Sequence, residues 1–94
     1  MAGEPVERNL RELAGENYWD ALMTCVEVRI DRREEYADTY VDMEFTELHS
    51  QIQGKLRRVL NATSDTTYLD SIRDLVNYSA FALERAMKQG APKL

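Results

Sequence analysis

Apolar residues recur along most of this chain at the three- and four-residue intervals that place them on one face of an α-helix. Polar and charged residues fill the positions between them, which is the pattern of helices that bury one side and expose the other. The three clearest apolar stripes are Trp19-Leu22-Met23-Val26-Ile30, Phe45-Leu48-Ile52-Leu56-Val59 and Leu69-Ile72-Val76-Ser79-Leu83. The pattern therefore predicts an all-α protein built as a four-helix, bundle-like domain.

The stripes and the breaks between them indicate one domain, residues 1–94, with a short N-terminal helix and three longer ones. The expected helix ranges are about 4–14, 18–36, 43–60 and 67–89. The first helix is short and polar, so we expect residues 1–16 to lie at the periphery and residues 18–89 to form the helical core. Gly90 and Pro92 are expected to end the last helix.

Three positions carry specific structural expectations. Asp42 precedes the third helix and is a candidate for its N-cap. Thr67-x-x-Asp70 has the form of a capping box that opens the fourth helix. Gly54 falls inside the third helix, where glycine costs about 1 kcal/mol relative to alanine. We expect a close approach of another helix to explain Gly54, and room for a ligand is the alternative.

The fourth helix has the widest apolar surface, because its stripe is extended by Leu75, Tyr78 and Ala82. So wide a surface predicts a helix that is buried on two sides, either between neighbours in one subunit or at a dimer interface. We therefore expect a homo-oligomer, in its simplest form a dimer. On the second helix the charged side is expected to be solvated; its residues are Glu27, Asp31, Arg32, Glu34, Glu35 and Asp38.

Composition limits the classes of function. The chain carries 12 basic and 17 acidic residues, for a net charge of −5, and its one basic cluster is Lys55, Arg57 and Arg58. This balance disfavours nucleic acid as a partner. Apolar runs are too short to span a membrane, and the single cysteine, Cys25, excludes an intrachain disulfide. We therefore expect a cytoplasmic protein without a membrane partner.

Two acids on the fourth helix are the first candidates for chemistry. Asp70 and Asp74 are four residues apart and share a helix face, where like charges repel. A short loop makes the third and fourth helices antiparallel neighbours, which sets Asp74 level with Lys55 and Asp70 level with Arg58. Two interpretations stay open. One is an ion pair at the edge of the core, and the other is a carboxylate pair that holds Mg²⁺ with acids from the second helix.

Three pieces of the sequence together resemble a known family. They are Arg33-Glu34-Glu35-Tyr36-Ala37-Asp38, Lys55-Leu56-Arg57-Arg58 and Asp70-Ser71-Ile72-Arg73-Asp74-Leu75-Val76-Asn77-Tyr78. In this order they are similar to the nucleotide modification associated domain of phages and bacteria, a branch of the MazG-like all-α nucleotide pyrophosphohydrolases. The resemblance covers about residues 20–85.

The resemblance implies Mg²⁺-dependent hydrolysis of a nucleoside triphosphate to the monophosphate and pyrophosphate. The roles it implies are catalysis and metal binding by Asp70 and Asp74, phosphate binding by Lys55 and Arg58, and base or sugar contact by Tyr36, Asn77 and Tyr78. The sequence departs from the family's two metal motifs. Asp74 matches the last acid of E-x-x-D, but Ser71 stands at its glutamate, and the E-x-x-E form at Glu44 and Glu47 lies too far along the hairpin. The resemblance thus implies nucleotide binding and leaves hydrolysis open.

A non-catalytic protein-interaction module, such as a phage-type adaptor or inhibitor, is the alternative function. The small size, the acidic composition and the altered metal motif all fit it. The two functions make different predictions for Asp74: its replacement abolishes ligand binding in the first case and leaves partner binding intact in the second.

Overall fold

The computed structural model describes residues 10–33 and 43–93. Helical segments in these ranges are residues 10–14 (α1), Glu16–Asp31 (α2), Phe45–Leu60 (α3) and Asp65–Gln89 (α4). The described residues contain no β-strand, so the predicted all-α class is confirmed. Gly15 separates α1 from α2 with a φ of 102°, a backbone conformation that favours glycine. Leu10 and Leu13 of α1 remain exposed.

The fourth helix begins before the predicted capping box. Its N-cap is Ser64, whose Oγ accepts a hydrogen bond from the Thr67 backbone N–H at 3.2 Å. The same Oγ donates to the Thr67 hydroxyl at 2.9 Å. Thr67 is therefore already inside the first turn, and the expectation that it caps the helix with Asp70 is wrong. Asp70 lies beyond the first turn, so capping does not explain its charge.

The third helix also begins later than expected, at Phe45. Its N-cap is Glu44, whose backbone N–H donates to the Glu47 carboxylate at 3.2 Å, so the prediction of Asp42 as the cap is wrong. Asp42 itself lies outside the described residues. Glu47 satisfies a backbone donor that the start of a helix leaves open. The E-x-x-E form of the sequence is thus accounted for as a helix cap.

The core lies between α3 and α4. Leu48 of α3 packs with Tyr78 and Phe81 of α4, and Met43 and Ile52 border this cluster. The two aromatic rings meet edge to face, with centroids 5.5 Å apart, which is a favoured arrangement of their quadrupoles. α4 contacts both α3 and α2, so the prediction of neighbours on two sides of the fourth helix is confirmed. Leu69 and Leu83 of its predicted apolar stripe nevertheless stay exposed.

α2 contacts α4 through side chains at two places along its length. Arg73 and Asp74 are adjacent on α4, yet Arg73 bonds Thr24 and Asp74 bonds Arg32, the C-cap of α2. Thr24 and Arg32 are eight residues apart, or about 12 Å along a helix that rises 1.5 Å per residue. Both contacts are made by long arginine side chains.

The face of α2 that meets α4 differs from the predicted apolar stripe. Cys25 is the buried residue of α2, whereas Met23, Val26 and Ile30 of the stripe stay exposed. Val26 follows Cys25 directly, so its side chain points about 100° away around the helix. The expectation that the whole stripe faces the core of this chain is wrong. Polar contacts, described below, set the rotation of α2 instead.

Gly54→Ala is expected to stabilise the protein. Beyond the backbone of its own helix, no atom lies within 4 Å of the position that an added Cβ would occupy, so the expected close helix approach is wrong. Alanine should raise the free energy of unfolding by about 0.5–1 kcal/mol, which corresponds to about 2–8 °C in Tm for a domain of this size. Calorimetry of both proteins measures the shift.

Gly15→Ala is the matched control for that substitution. Its φ of 102° is rarely adopted by a residue with a side chain, so alanine should lower the Tm at position 15. A fall in Tm for Gly54→Ala would show that the glycine serves a backbone requirement after all.

Candidate charged site on the central helix

Asp74 is the centre of a charged site where α2, α3 and α4 meet. Its Oδ1 lies 3.3 Å from Nη1 of Arg32, the C-cap of α2, and its Oδ2 lies 3.6 Å from Lys55 Nζ of α3. The Asp74 and Lys55 side chains are only 18% and 15% exposed. The prediction that Asp74 lies at the same height as Lys55 along the hairpin is confirmed. The interpretation of Asp74 as one partner of an ion pair is confirmed as well. Arg32 was expected on a solvated charged face and lies in this site instead.

Lys55 also faces an aromatic ring. Its Nζ lies 5.3 Å from the centroid of the Tyr78 ring, within the range of a cation–π interaction. Tyr78 is buried and packs against Phe81. The ring therefore holds the ammonium group against α4. Tyr78 lies inside the core, whereas the resemblance implies that it contacts a base or a sugar.

Asn77 joins α4 to α2. Its side-chain Nδ2 donates to the backbone carbonyl of Cys25 at 3.2 Å, and both residues are buried. Arg73, one turn earlier, donates from Nε to the Thr24 hydroxyl at 3.1 Å. These two bonds place Cys25 against α4 and so set the rotation of α2. The amide that the resemblance links to a nucleotide thus already has a structural partner.

Asp70 occupies a different environment from Asp74. Its side chain is 67% exposed, and its Oδ1 lies 3.6 Å from Arg73 Nη1 on the same helix. Asp70 pairs with Arg73 and not with Arg58, which lies exposed near the end of α3. The hairpin thus pairs one of the two acids with its expected base. The two carboxylates repel less than their spacing suggests, because each has its own cation.

A Mg²⁺ site is not assembled by the part of the chain that the structure describes. Within residues 10–33 and 43–93, no group of three or more His, Cys, Asp or Glu side chains is placed to hold a metal ion. Both oxygens of Asp74 face cations, which repel a metal. Mg²⁺ requires several oxygen ligands about 2.1 Å from one point, so the described donor set does not fit it. Tyr36 and the acids Glu34, Glu35 and Asp38 lie outside the described residues.

The one cysteine has a protected thiol. Burial raises the pKa of Cys25 above its ordinary value, against the opposing effects of the Arg73 charge and a hydrogen bond with the Thr24 side chain. A thiol with a raised pKa stays protonated at neutral pH and is a poor nucleophile. Cys25 therefore serves as packing between α2 and α4.

A groove of about 460 Å³ lies between α2 and α4. Apolar side chains form most of its walls, among them Tyr18, Leu22, Leu69, Ile72 and Val76. It lies on the Arg73 side of α4, away from the Asp74 site.

None of the described helices is long and apolar enough to cross a membrane.

Sequence reasoning missed Arg32. The sequence predicts acids of the second helix as further Mg²⁺ ligands beside Asp74, whereas the side chain that reaches Asp74 from the C-cap of α2 is a cation. No local signal distinguishes Arg32 from the charged residues around it, because its role depends on how α2 packs on α4.

Comparisons with protein-family models, with curated proteins and with solved structures find no match for this chain.

Proposed function

We propose that this protein binds nucleotides through their phosphate groups at the cations Arg32, Lys55 and Arg58. The supporting observation is the meeting of three helices at Asp74, where Arg32 and Lys55 contact one carboxylate. These two cations are brought together on a chain whose net charge is −5. Arginine and lysine side chains held in place are suited to phosphate recognition.

Within this proposal Asp74 is a positioning residue. It holds Lys55 and Arg32 at the junction of the helices, and Tyr78 supports the Lys55 ammonium from the core side. Arg58 follows Lys55 by three residues, which places both on one side of α3. Arg58 is exposed and is therefore the cation that reaches a phosphate first. Lys55, Arg58, Asp74 and Tyr78 also lie in the sequence pieces that carry the MazG-like resemblance, which supports the choice of a nucleotide as the ligand.

Nucleotide binding is proposed for this chain, and hydrolysis of the bound nucleotide is a separate prediction. The carboxylate that contacts both Arg32 and Lys55 is Asp74, and its two oxygens are paired with these cations. Pyrophosphohydrolase activity with Mg²⁺ remains a prediction from the resemblance. It is tested by measuring the release of pyrophosphate beside the binding of nucleotide.

The test is a titration of the full chain with each deoxynucleoside triphosphate, with and without Mg²⁺, followed by calorimetry and thermal unfolding. Binding should raise the Tm, since a ligand at 100 times its Kd stabilises a native state by about 2.7 kcal/mol. Arg58→Gln should weaken binding about tenfold, because it removes one charge-assisted hydrogen bond worth about 1.4 kcal/mol.

Arg57→Gln is the matched control. Arg57 and Arg58 are adjacent, exposed and of the same charge, but their side chains point about 100° apart around α3. Arg57→Gln should leave the affinity unchanged. Equal losses of affinity in both variants would show that binding depends on the overall charge of the chain and not on the position of Arg58. No Tm shift and no heat of binding at millimolar nucleotide would overturn the proposal, and turnover without an effect of Arg58→Gln would move the site elsewhere.

A second function, a protein-interaction module, is favoured by a different observation. Met23, Val26 and Ile30 of the apolar stripe of α2 are exposed in the folded chain, and they lie on another face than the Asp74 site. Under this function Asp74→Asn would leave partner binding intact. The two functions are compatible, because they use separate surfaces.

A further inference from the structure

Hydrogen bonds from two side chains of α4 hold the middle of α2. Asn77 donates to the Cys25 backbone carbonyl at 3.2 Å, and Arg73 donates to the Thr24 hydroxyl at 3.1 Å. Cys25 is the one residue of α2 that is buried. Burial of apolar surface is the dominant favourable term in folding, so α2 has little of it to hold it against α4.

The hairpin of α3 and α4 has a core of its own. Leu48, Tyr78 and Phe81 pack together, and Met43 and Ile52 border them. None of these five residues belongs to α2. Contacts of α4 with α2 are also fewer than its contacts with α3. The core of the hairpin therefore does not depend on the presence of α2.

Two arginines near the C-terminal end of α2 also contact α4. Arg32 pairs with Asp74 at 3.3 Å, and the guanidinium of Arg29 lies 5.2 Å from the centroid of the Phe81 ring. The Arg32 side chain is 47% exposed, so water and salt screen its charge. A segment with few buried apolar contacts opens at a lower free energy than the whole protein unfolds.

We propose that α2 is released from α4 as a unit while the hairpin of α3 and α4 stays folded. Release uncovers the Cys25 thiol and the Phe81 ring, and it removes Arg32 from Asp74. The proposed nucleotide site then has a closed form that contains Arg32 and an open form that lacks it. This consequence for the site rests on the proposed function, whereas the release of α2 does not.

The first test is alkylation of Cys25 in the full chain by iodoacetamide, followed by mass spectrometry at increasing urea concentrations. The buried thiol should react at least about 100-fold faster in the absence of urea than global unfolding alone allows. The rate should change little at low urea, because a partial opening exposes little surface. A rate that follows global unfolding down to zero urea would overturn the proposal.

Asn77→Ala should raise the alkylation rate about tenfold, since it removes a buried hydrogen bond that joins α4 to α2. Ser79→Ala is the matched control. Ser79 also donates to a backbone carbonyl, but its acceptor is Leu75 of the same helix. The control should alkylate at the wild-type rate. Equal rates in wild type and Asn77→Ala would show that the reagent reaches Cys25 without release of α2, and would overturn the proposal.

Arg32→Gln is a second variant, in case Asn77→Ala does not fold. It removes a half-exposed ion pair and should raise the alkylation rate about twofold to fivefold. Iodoacetamide is uncharged, so the change of charge does not alter its approach to the thiol. A rate equal to that of the wild type would count against the contribution of this ion pair to holding α2.

The second test is amide hydrogen exchange, which needs no substitution. An isolated helix of the length of α2 is at best partly formed in water, so the amides of Glu16–Asp31 should lose protection together on release. They should exchange faster than those of Phe45–Leu60. Equal protection of the two helices would overturn the proposal. Both tests omit nucleotide, so a failure of α2 to open is distinguishable from a failure to bind nucleotide.

Discussion

Leu48→Ala is expected to lower the free energy of unfolding by about 3–4 kcal/mol. Leu48 is 0% exposed and is the one fully buried large side chain of the described residues. It fills the space between α3 and the Tyr78–Phe81 ring pair, and aromatic rings packed edge to face collapse poorly into a cavity. Chains of this length have a total stability of about 5–14 kcal/mol. The substitution therefore removes a large share of it.

Urea unfolding of both proteins, monitored by circular dichroism at 222 nm, measures the difference. Leu60→Ala is the matched control, because Leu60 lies on the same helix and is 73% exposed. The control should change the free energy of unfolding by less than about 0.5 kcal/mol. Similar losses at positions 48 and 60 would place the main apolar contacts of α3 elsewhere, for example in an interface between chains.

Asp74→Asn is expected to lower the free energy of unfolding by about 1.5–3 kcal/mol. The substitution leaves the largely buried Lys55 ammonium without its counter-charge, which costs more than the loss of an exposed pair. Arg32 is about half-exposed and contributes less, because water screens its charge. The value is therefore set mainly by Lys55. Chemical denaturation at pH 7 measures the change.

Asp70→Asn is the control on the same helix. Its side chain is 67% exposed and contacts only the flanking Arg73 within the described ion pairs, so its loss should cost less than about 0.5 kcal/mol. A double variant with Lys55→Met adds a second check. The free energy of unfolding of the double variant should be at least about 1 kcal/mol higher than that of Asp74→Asn, since no unpaired ammonium group is left at the edge of the core. Equal effects at positions 70 and 74 would contradict a special role for Asp74.

The Asp74 variant also bears on function. Because Asp74 positions two of the proposed phosphate-binding cations, its loss should affect stability and nucleotide binding together. A loss of binding in Asp74→Asn is therefore compatible with a ligand contact and with a positional effect. Arg58→Gln separates these possibilities, since Arg58 is exposed and its loss leaves the ion pairs of Asp74 unchanged.

The corrected helix starts show why local sequence signals compete. Both Ser64 and Thr67 have side chains that can cap a helix. The structure selects Ser64, and Thr67 then becomes the residue that Ser64 bonds. The same competition applies to Asp42 and Glu44 at the start of α3. Such choices differ by little free energy, so the helices are predictable and their first residues are less so.

By itself, the sequence determined the helices, their order and the pairing of Asp74 with Lys55. Helical periodicity and the antiparallel hairpin of α3 and α4 depend on contacts between segments that are close in the chain. Counting residues from the loop is therefore enough to place Asp74 level with Lys55. The wide apolar surface of α4 likewise predicted neighbours on two sides of that helix, although Leu69 and Leu83 stay exposed.

Only the tertiary structure decided how α2 lies. Its sequence has apolar residues over more than one face, and periodicity cannot tell which face meets α4. The hydrogen bonds of Asn77 and Arg73 make that choice, and they join residues about 50 positions apart in the chain. Because α2 is held in this orientation, Arg32 reaches Asp74 and the apolar side chain of Val26 faces solvent. Contacts so distant in sequence leave no periodic signal. The contribution of α2 to the Asp74 site and the exposure of its apolar residues therefore could not be predicted from the sequence.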